Sequence, residues 1–245
     1  LYGALLAENG FTGIVDVFES PYGGFCTTFS RSTDRFDLNE LSWELGRQWE
    51  TLRISLKFYS CVGSNHTTLD AIRKMQERTP FGPDDIDEIV VHGSHVTVEH
   101  VGWPYEPQGL TSAQLNLPFC VATLLIEGDV FVDQFSEAVV NDAKRIALSR
   151  KVKVLHDPAI TERGSNFRHM VRVQVALKNG TRMEETVEAP RGSEKSFASE
   201  ADVVRKFTTL ATHTVGAAQA ARIVELVLGA DRLARAADLV EALAA

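Results

Sequence analysis

A cation, a phenol, a hydroxyl, a thiol and a carboxamide stand close together at Lys57, Tyr59, Ser60, Cys61 and Asn65, and an imidazole, His66, closes the group. Thr67 or Thr68 is placed to N-cap a helix behind them. From there Leu69, Ile72 and Met75 recur at helical spacing, while Arg73, Lys74 and Arg78 fall towards solvent. Polar chemistry at a helix N-terminus suits an anion, because the first-turn N–H groups and the positive end of the macrodipole both favour a carboxylate or phosphate. Lys57 and His66 would add charge. The spacing alone equally permits a surface lysine, a small buried thiol and a histidine that simply belongs to the helix cap.

Two other groupings carry less. Gly23 and Gly24 read as a tight turn, and nothing matches a P-loop or a dinucleotide fingerprint. His92, His95 and His100 invite a metal reading. On one straight strand, however, His92 and His95 face opposite sides, and His92 and His100 stand roughly 26 Å apart at about 3.3 Å per residue. A metal centre would need the loop to fold back, and none is expected.

The elements that must position the polar group follow from periodicity and punctuation. Leu52, Ile54 and Leu56 alternate as in a short strand, which would hold Lys57 at the end of an extended segment. A helix is predicted over 67–78, then a break through Pro80 and Pro83, then a buried strand at Ile89-Val90-Val91. After a Pro- and Gly-punctuated loop over 101–110, Thr111 or Ser112 caps a helix running to Gly128. Pro118 sits too far inside it for a relaxed first turn and predicts a kink or a delayed start. Another helix is expected over 137–149, a strand over 152–155 and a stop at Asp157-Pro158. Residues 169–177 and 183–187 alternate around Lys178-Asn179-Gly180-Thr181, a hairpin with a type I′ turn. Ser199 caps a helix from Glu200 with Val203, Val204, Phe207 and Leu210 on its apolar stripe, and two more helices run over 217–228 and from 231 to the end. At the front, 1–9 reads as the end of a helix closed by Gly10, and 37–47 is short and helix-prone.

With 245 residues, 44% of them hydrophobic, the chain can bury one sizeable core or two smaller ones. Its formal charge of −8 argues against a general nucleic-acid surface and a polybasic membrane patch. No apolar run approaches the roughly 18 residues of a membrane span, and no signal peptide opens the chain. Cys26, Cys61 and Cys120 are odd in number and form no CxxC pair, which fits a reducing, cytoplasmic setting. A chain that opens without Met in the last two turns of a helix is expected to be the C-terminal part, or one piece, of a longer protein.

Three stretches together resemble the MmgE/PrpD family, which includes 2-methylcitrate dehydratase, cis-aconitate decarboxylase and iminodisuccinate epimerase. They are Lys57, Tyr59, Cys61 and His66 followed by Asp70-Ala71; Ala113-Gln114-Leu115-Asn116-Leu117-Pro118-Phe119 ahead of a helix ending in Gly128; and Ala189-Pro190-Arg191-Gly192. Leu115, Asn116 and Phe119 depart from the family's usual Phe, Ser and Tyr. Of these Asn116 matters most, since an amide beside a substrate offers different hydrogen bonds from a hydroxyl. The resemblance implies an α+β fold class in which 52–190 form an α+β lid with a small antiparallel sheet, while 1–51 and 191–245 are part of an all-helical domain. It implies a lyase that dehydrates a small hydroxy-tricarboxylic acid such as 2-methylcitrate. The alternatives are decarboxylation or epimerisation of a related di- or tricarboxylic acid, or a non-catalytic half or subunit of such an enzyme. By the same resemblance Lys57 holds a carboxylate and offsets developing charge, His66 contacts substrate or relays a proton, and the Tyr105 hydroxyl reaches the site from its loop. Tyr59, Ser60, Cys61 and Gln114 would bind substrate. No metal or other cofactor is implied; the partners are the missing N-terminal half and, in a homodimer, a second copy.

Overall fold

The structure, a computed structural model, describes residues 2–244. The chain divides into two compact units, residues 1–52 and 53–245. In the first, α1 (Tyr2–Glu8) is closed by Gly10 in the left-handed region at φ 85°, as its sequence predicts; Leu1 lies outside the described residues. α2 (Phe25–Ser30) carries Phe25 and Phe29 with ring centroids 4.6 Å apart, and Phe18 meets Phe25 edge-on at 6.0 Å. The helix-prone stretch 37–47 yields only a 3₁₀ turn, Leu38–Leu41, because Glu44 and Gly46 sit at positive φ and break the run.

The second unit is built around α3 (Gly63–Arg78) and a four-stranded sheet of β1 (Ile86–Gly93), β2 (Val152–His156), β3 (Val171–Leu177) and β4 (Arg182–Val187), in the order β2-β1-β3-β4. The β1–β3 and β3–β4 pairs are antiparallel, whereas β1 and β2 run parallel, so the small sheet is mixed. A parallel pair needs a long crossover, and the chain supplies one in α4 (His95–Val101), α5 (Leu110–Leu115), α6 (Leu117–Glu127), α7 (Glu137–Val140) and α8 (Ala143–Ser149). After β2 comes α9 (Pro158–Glu162), and after the sheet α10 (Glu200–Ala211), α11 (Ala217–Leu228) and α12 (Ala237–Leu243). The fold is α+β.

Several boundaries move for local reasons. α3 begins at Gly63, so Thr67 and Thr68 lie inside the helix and cap nothing. The expected strand at Leu52, Ile54 and Leu56 is absent: Glu50–Arg53 is a 3₁₀ turn and the segment after it has no sheet neighbour. Pro118 does delay a helix, since Asn116 ends α5 and caps α6. Asp142 likewise splits 137–149 by capping α8, and Asp157 starts α9 by accepting from the Ala159 N–H at 3.0 Å. The 178–181 turn keeps Asn179 at negative φ and places only Gly180 at positive φ (89°). It is therefore a type I turn with a glycine bulge, not type I′. The Ser199–Asp202 capping box starts α10 at Glu200 as predicted. The last helix begins later than 231, after a 3₁₀ turn at Ala230–Arg232, and Ala245 lies outside the described residues.

Leu69, Ile72 and Met75 of α3 are fully buried and pack against β3, β4 and α6. On the facing strands the buried residues alternate along β3 as Val171, Val173, Val175 and Leu177. Deleting three carbons from Ile72 should lower unfolding stability by about 2–5 kcal/mol. Urea denaturation of Ile72→Ala checks this, and a midpoint unchanged from wild type would contradict the packing.

Candidate functional site

The first turns of α3 are unusual in what they leave without a partner. Its N-cap residue, Val62, has no side chain to accept from the first-turn N–H groups. Behind it Asn65, His66, Thr67 and Thr68 are all buried. Asn65 Oδ1, His66 Nε2, Thr67 Oγ1 and Thr68 Oγ1 nevertheless find no hydrogen-bond partner among the described residues. Buried polar atoms without partners are costly. Four such atoms fall on consecutive residues in the first turns of a 16-residue helix, whose N-terminus favours an anion.

A buried carboxylate frames this end of the helix. Asp70 Oδ1 accepts from the Tyr59 hydroxyl at 2.8 Å and Oδ2 from the Arg191 backbone N–H at 3.0 Å. The Tyr59 phenol is pushed far above its ordinary pKa, first by burial and then by the Asp70 charge, and its donor is engaged. Its ring meets the His66 ring edge-on at 5.1 Å, so Tyr59 braces His66. Gly192, next to Arg191, approaches the chain just ahead of Lys57: Leu56 N–H donates to Gly192 O at 2.9 Å, and a Cβ on Gly192, itself at φ 90°, would meet Leu56 O at 2.6 Å. Only glycine fits there. The Ala189–Gly192 loop thus docks the segment that presents Lys57, which is exposed and has no ion-pair partner among the described residues.

On the other side of the helix start, the second motif closes in. Gln114 contributes its backbone carbonyl, which accepts from Val62 N–H at 3.1 Å and from Asn65 Nδ2 at 3.4 Å. Asn65 Nδ2 also reaches Cys120 Sγ at 3.4 Å. The Cys61 thiol is held below the usual thiol pKa, chiefly by Cys120, with His66 and Asn65 adding to it against the opposing effect of burial. Cys120 is pushed well above it, chiefly by burial. Ser60 is half-buried, its N–H donating to Val130 O at 2.9 Å.

Of the seven residues singled out by sequence, Tyr59, Ser60, Cys61 and His66 therefore gather at the start of α3, with Lys57 just ahead and Gln114 docked by its carbonyl. Tyr105 stands apart. Its hydroxyl donates to Val140 O at 3.0 Å and its ring lies 4.3 Å from Phe119 in a small apolar cluster. Asn116 is also occupied structurally, since its Oδ1 accepts from Phe119 N–H at 2.9 Å as the cap of α6 and its Nδ2 donates to Trp103 O at 2.6 Å. His92 sits on β1 beside Gln174 at 3.4 Å, while His95 and His100 ride on α4 and not on a strand, His95 facing His156 at 5.9 Å. No group of His, Cys, Asp or Glu suited to a metal occurs among the described residues. Sequence reasoning missed Asp70 and Cys120 as partners, although both fall in the motif stretches. It also missed His169, held below its ordinary pKa by burial and then by the charges of Arg168 and His66.

An uncapped helix start with buried unpaired polar atoms, an unpaired lysine before it and an imidazole within it can hold a carboxylate and move a proton. The MmgE/PrpD C-terminal domain matches residues 59–231, and the chain belongs to that family. A cis-aconitate decarboxylase-like protein, oryM, of Aspergillus oryzae is 31% identical over 98% of this chain and 51% of its own length. A cis-aconitate decarboxylase of Aspergillus terreus is 31% identical over 99% and 52%, and one of Mus musculus 26% identical over 83% and 41%. The chain spans about half the length of the curated relatives it matches. No helix among the described residues is long and apolar enough to cross a membrane.

Proposed function

We propose that the protein is a lyase acting on a small polycarboxylic acid, that decarboxylation of a cis-aconitate-like acid is its reaction, and that this chain supplies the carboxylate-holding part of the site. The observation that carries this is the buried His66 Nε2, which has no hydrogen-bond partner among the described residues, in the first turns of the uncapped α3. Lys57 would bind one carboxylate. As CO₂ leaves, its bonding electron pair stays on carbon and delocalises towards a neighbouring carboxylate, where the lysine charge offsets it. His66 would return a proton to that carbon. Cys61, Ser60 and the Gln114 side chain would line the substrate. Tyr59 would act through His66, and Tyr105 by packing its loop.

The names of the relatives favour decarboxylation over the dehydration of 2-methylcitrate that the sequence motifs first suggest. In this reading 52–190 act as the lid, 1–51 and 191–245 belong to an all-helical domain completed by an N-terminal half, and the enzyme works in the cytoplasm as a homodimer. Exposed Val203, Val227, Leu228 and Val240 on the C-terminal helices are surfaces that the N-terminal half or a second copy would cover. The test is to measure CO₂ release from cis-aconitate and water loss from 2-methylcitrate, with the N-terminal half present and withheld. CO₂ release that requires both halves is the expected outcome. Water loss alone would replace the reading by hydro-lyase chemistry, and neither activity would leave a non-catalytic subunit.

A further inference from the structure

A cavity of about 220 Å³ opens between the chain around 165–169 and the chain around 188–195. Arg53, Arg168 and Lys195 line it against Glu188 and Glu194, and Glu188 is already taken by Arg163 at 2.8 Å. Arg168 and Lys195 bond only to neutral groups and have no carboxylate partner among the described residues. Arg168 is nevertheless fixed at both ends. Its backbone carbonyl accepts from the hydroxyls of buried Ser94 at 2.6 Å and buried Thr97 at 3.2 Å, and its Nε–H donates to His169 Nε2 at 3.1 Å. An accepting Nε2 carries no proton, so His169 is a neutral imidazole with its proton on Nδ1. Burial and the Arg168 charge push its pKa down, in the same direction. With Nε engaged, the two outer nitrogens of Arg168 meet no acceptor among the described residues. They form an edge that grips a carboxylate through two parallel bonds. Lys195 is held beside it, over the Phe167 ring at 4.2 Å. Ser55 also lines the cavity, and two residues of chain put Lys57 at most roughly 7 Å of backbone away.

We propose that this cavity is a second carboxylate subsite, in which Arg168 binds one carboxylate of the acid through its two outer nitrogens and Lys195 adds charge, while Lys57 takes another. The inference rests on the reading that the substrate is a small polycarboxylic acid, and it adds how such an acid is chosen: carboxylates on two separate carbons engage two separate cation groups, and a monocarboxylate engages one. His169 is a positioning residue. It accepts from Nε and so turns the free edge of Arg168 to the cavity without adding a charge of its own.

The test reads binding and not turnover. Tricarballylate, the saturated and unreactive counterpart of aconitate, is titrated calorimetrically into the assembled protein with the N-terminal half present. Arg168 is exposed, so Arg168→Gln keeps the fold; it should weaken binding by about ten- to a hundredfold, the worth of hydrogen bonds to a charged group. Arg150→Gln removes the same charge outside this cavity and should leave affinity unchanged. His169→Leu should cost about two- to tenfold, the worth of one neutral hydrogen bond, and His169→Gln, whose carbonyl oxygen can accept from Arg168 Nε, should restore it. No binding to the wild type, unchanged affinity in Arg168→Gln, or an equal loss in Arg150→Gln overturns the subsite; a loss that persists in His169→Gln overturns the positioning role. CO₂ release from cis-aconitate with affinity unmoved by Arg168→Gln would sink the subsite and keep the reaction. Tricarballylate binding that depends on Arg168, without CO₂ release, would do the reverse.

Discussion

Replacing Lys57 with Ala should lower kcat/KM by about 10²–10³-fold in the assembled enzyme while leaving the unfolding free energy from urea denaturation within about 0.5 kcal/mol of wild type. The two halves of that expectation rest on one fact: Lys57 is exposed and has no ion-pair partner among the described residues, so the fold asks nothing of its charge. A lysine held at a docked backbone segment, beside a helix start with four unpaired buried polar atoms, gains a role only when something anionic arrives. If that role is to bind the carboxylate in the ground state, KM rises and kcat holds; if it is to offset charge as the carbon–carbon bond breaks, kcat falls with kcat/KM. Lys57→Arg should recover part of the loss, since it restores the charge without the same reach. Turnover indistinguishable from wild type in Lys57→Ala would remove this residue from the site.

How much of the molecule is legible in its sequence differs by element, and the reasons are physical. The α3 stripe, the β3–β4 hairpin, the Ser199 cap and the delayed helix at Pro118 are readable because each depends on neighbours within a few residues. The start of α3 is misplaced by sequence because Thr67 and Thr68 look like caps by residue type, whereas Val62 takes that place only through its N–H bond to Gln114 O, far along the chain. The Leu52–Leu56 alternation fails as a strand because period two without a paired neighbour does not make one. Within the site, His66 and Cys61 can be picked by chemistry. The Asn65–Cys120 bond and the two bonds of Asp70 cannot, because sequence shows the motif stretches and not that the fold lays three of them side by side. Tyr105 and Asn116 illustrate the converse: both carry groups fit for a substrate, and the structure shows those groups already bonded to Val140, Phe119 and Trp103.

Removing the Asp70 carboxylate should be the most destructive polar change in the chain, costing about 2–5 kcal/mol of stability in Asp70→Ala. Two donors, the buried Tyr59 hydroxyl and the half-buried Arg191 N–H, would lose their acceptor at once. The damage should also spread. The Arg191 N–H anchors the loop whose Gly192 carbonyl holds Leu56, and Leu56 directly precedes Lys57. Asp70→Asn separates geometry from charge, because its Oδ1 can still accept from Arg191 N–H while its Nδ2 donates to the Tyr59 oxygen. About 1 kcal/mol is the expected cost there, since both bonds survive in neutral form. Adding Tyr59→Phe to Asp70→Ala should recover about 1 kcal/mol of the loss, because it removes the buried hydroxyl that the single variant leaves without an acceptor. Denaturant midpoints for these variants check the account. Equal losses in Asp70→Ala and Asp70→Asn would show that buried charge, and not the paired acceptors, holds the loop. That result would detach the position of Lys57 from the Asp70–Arg191 bond and leave the Gly192 contact with Leu56 as its sole anchor.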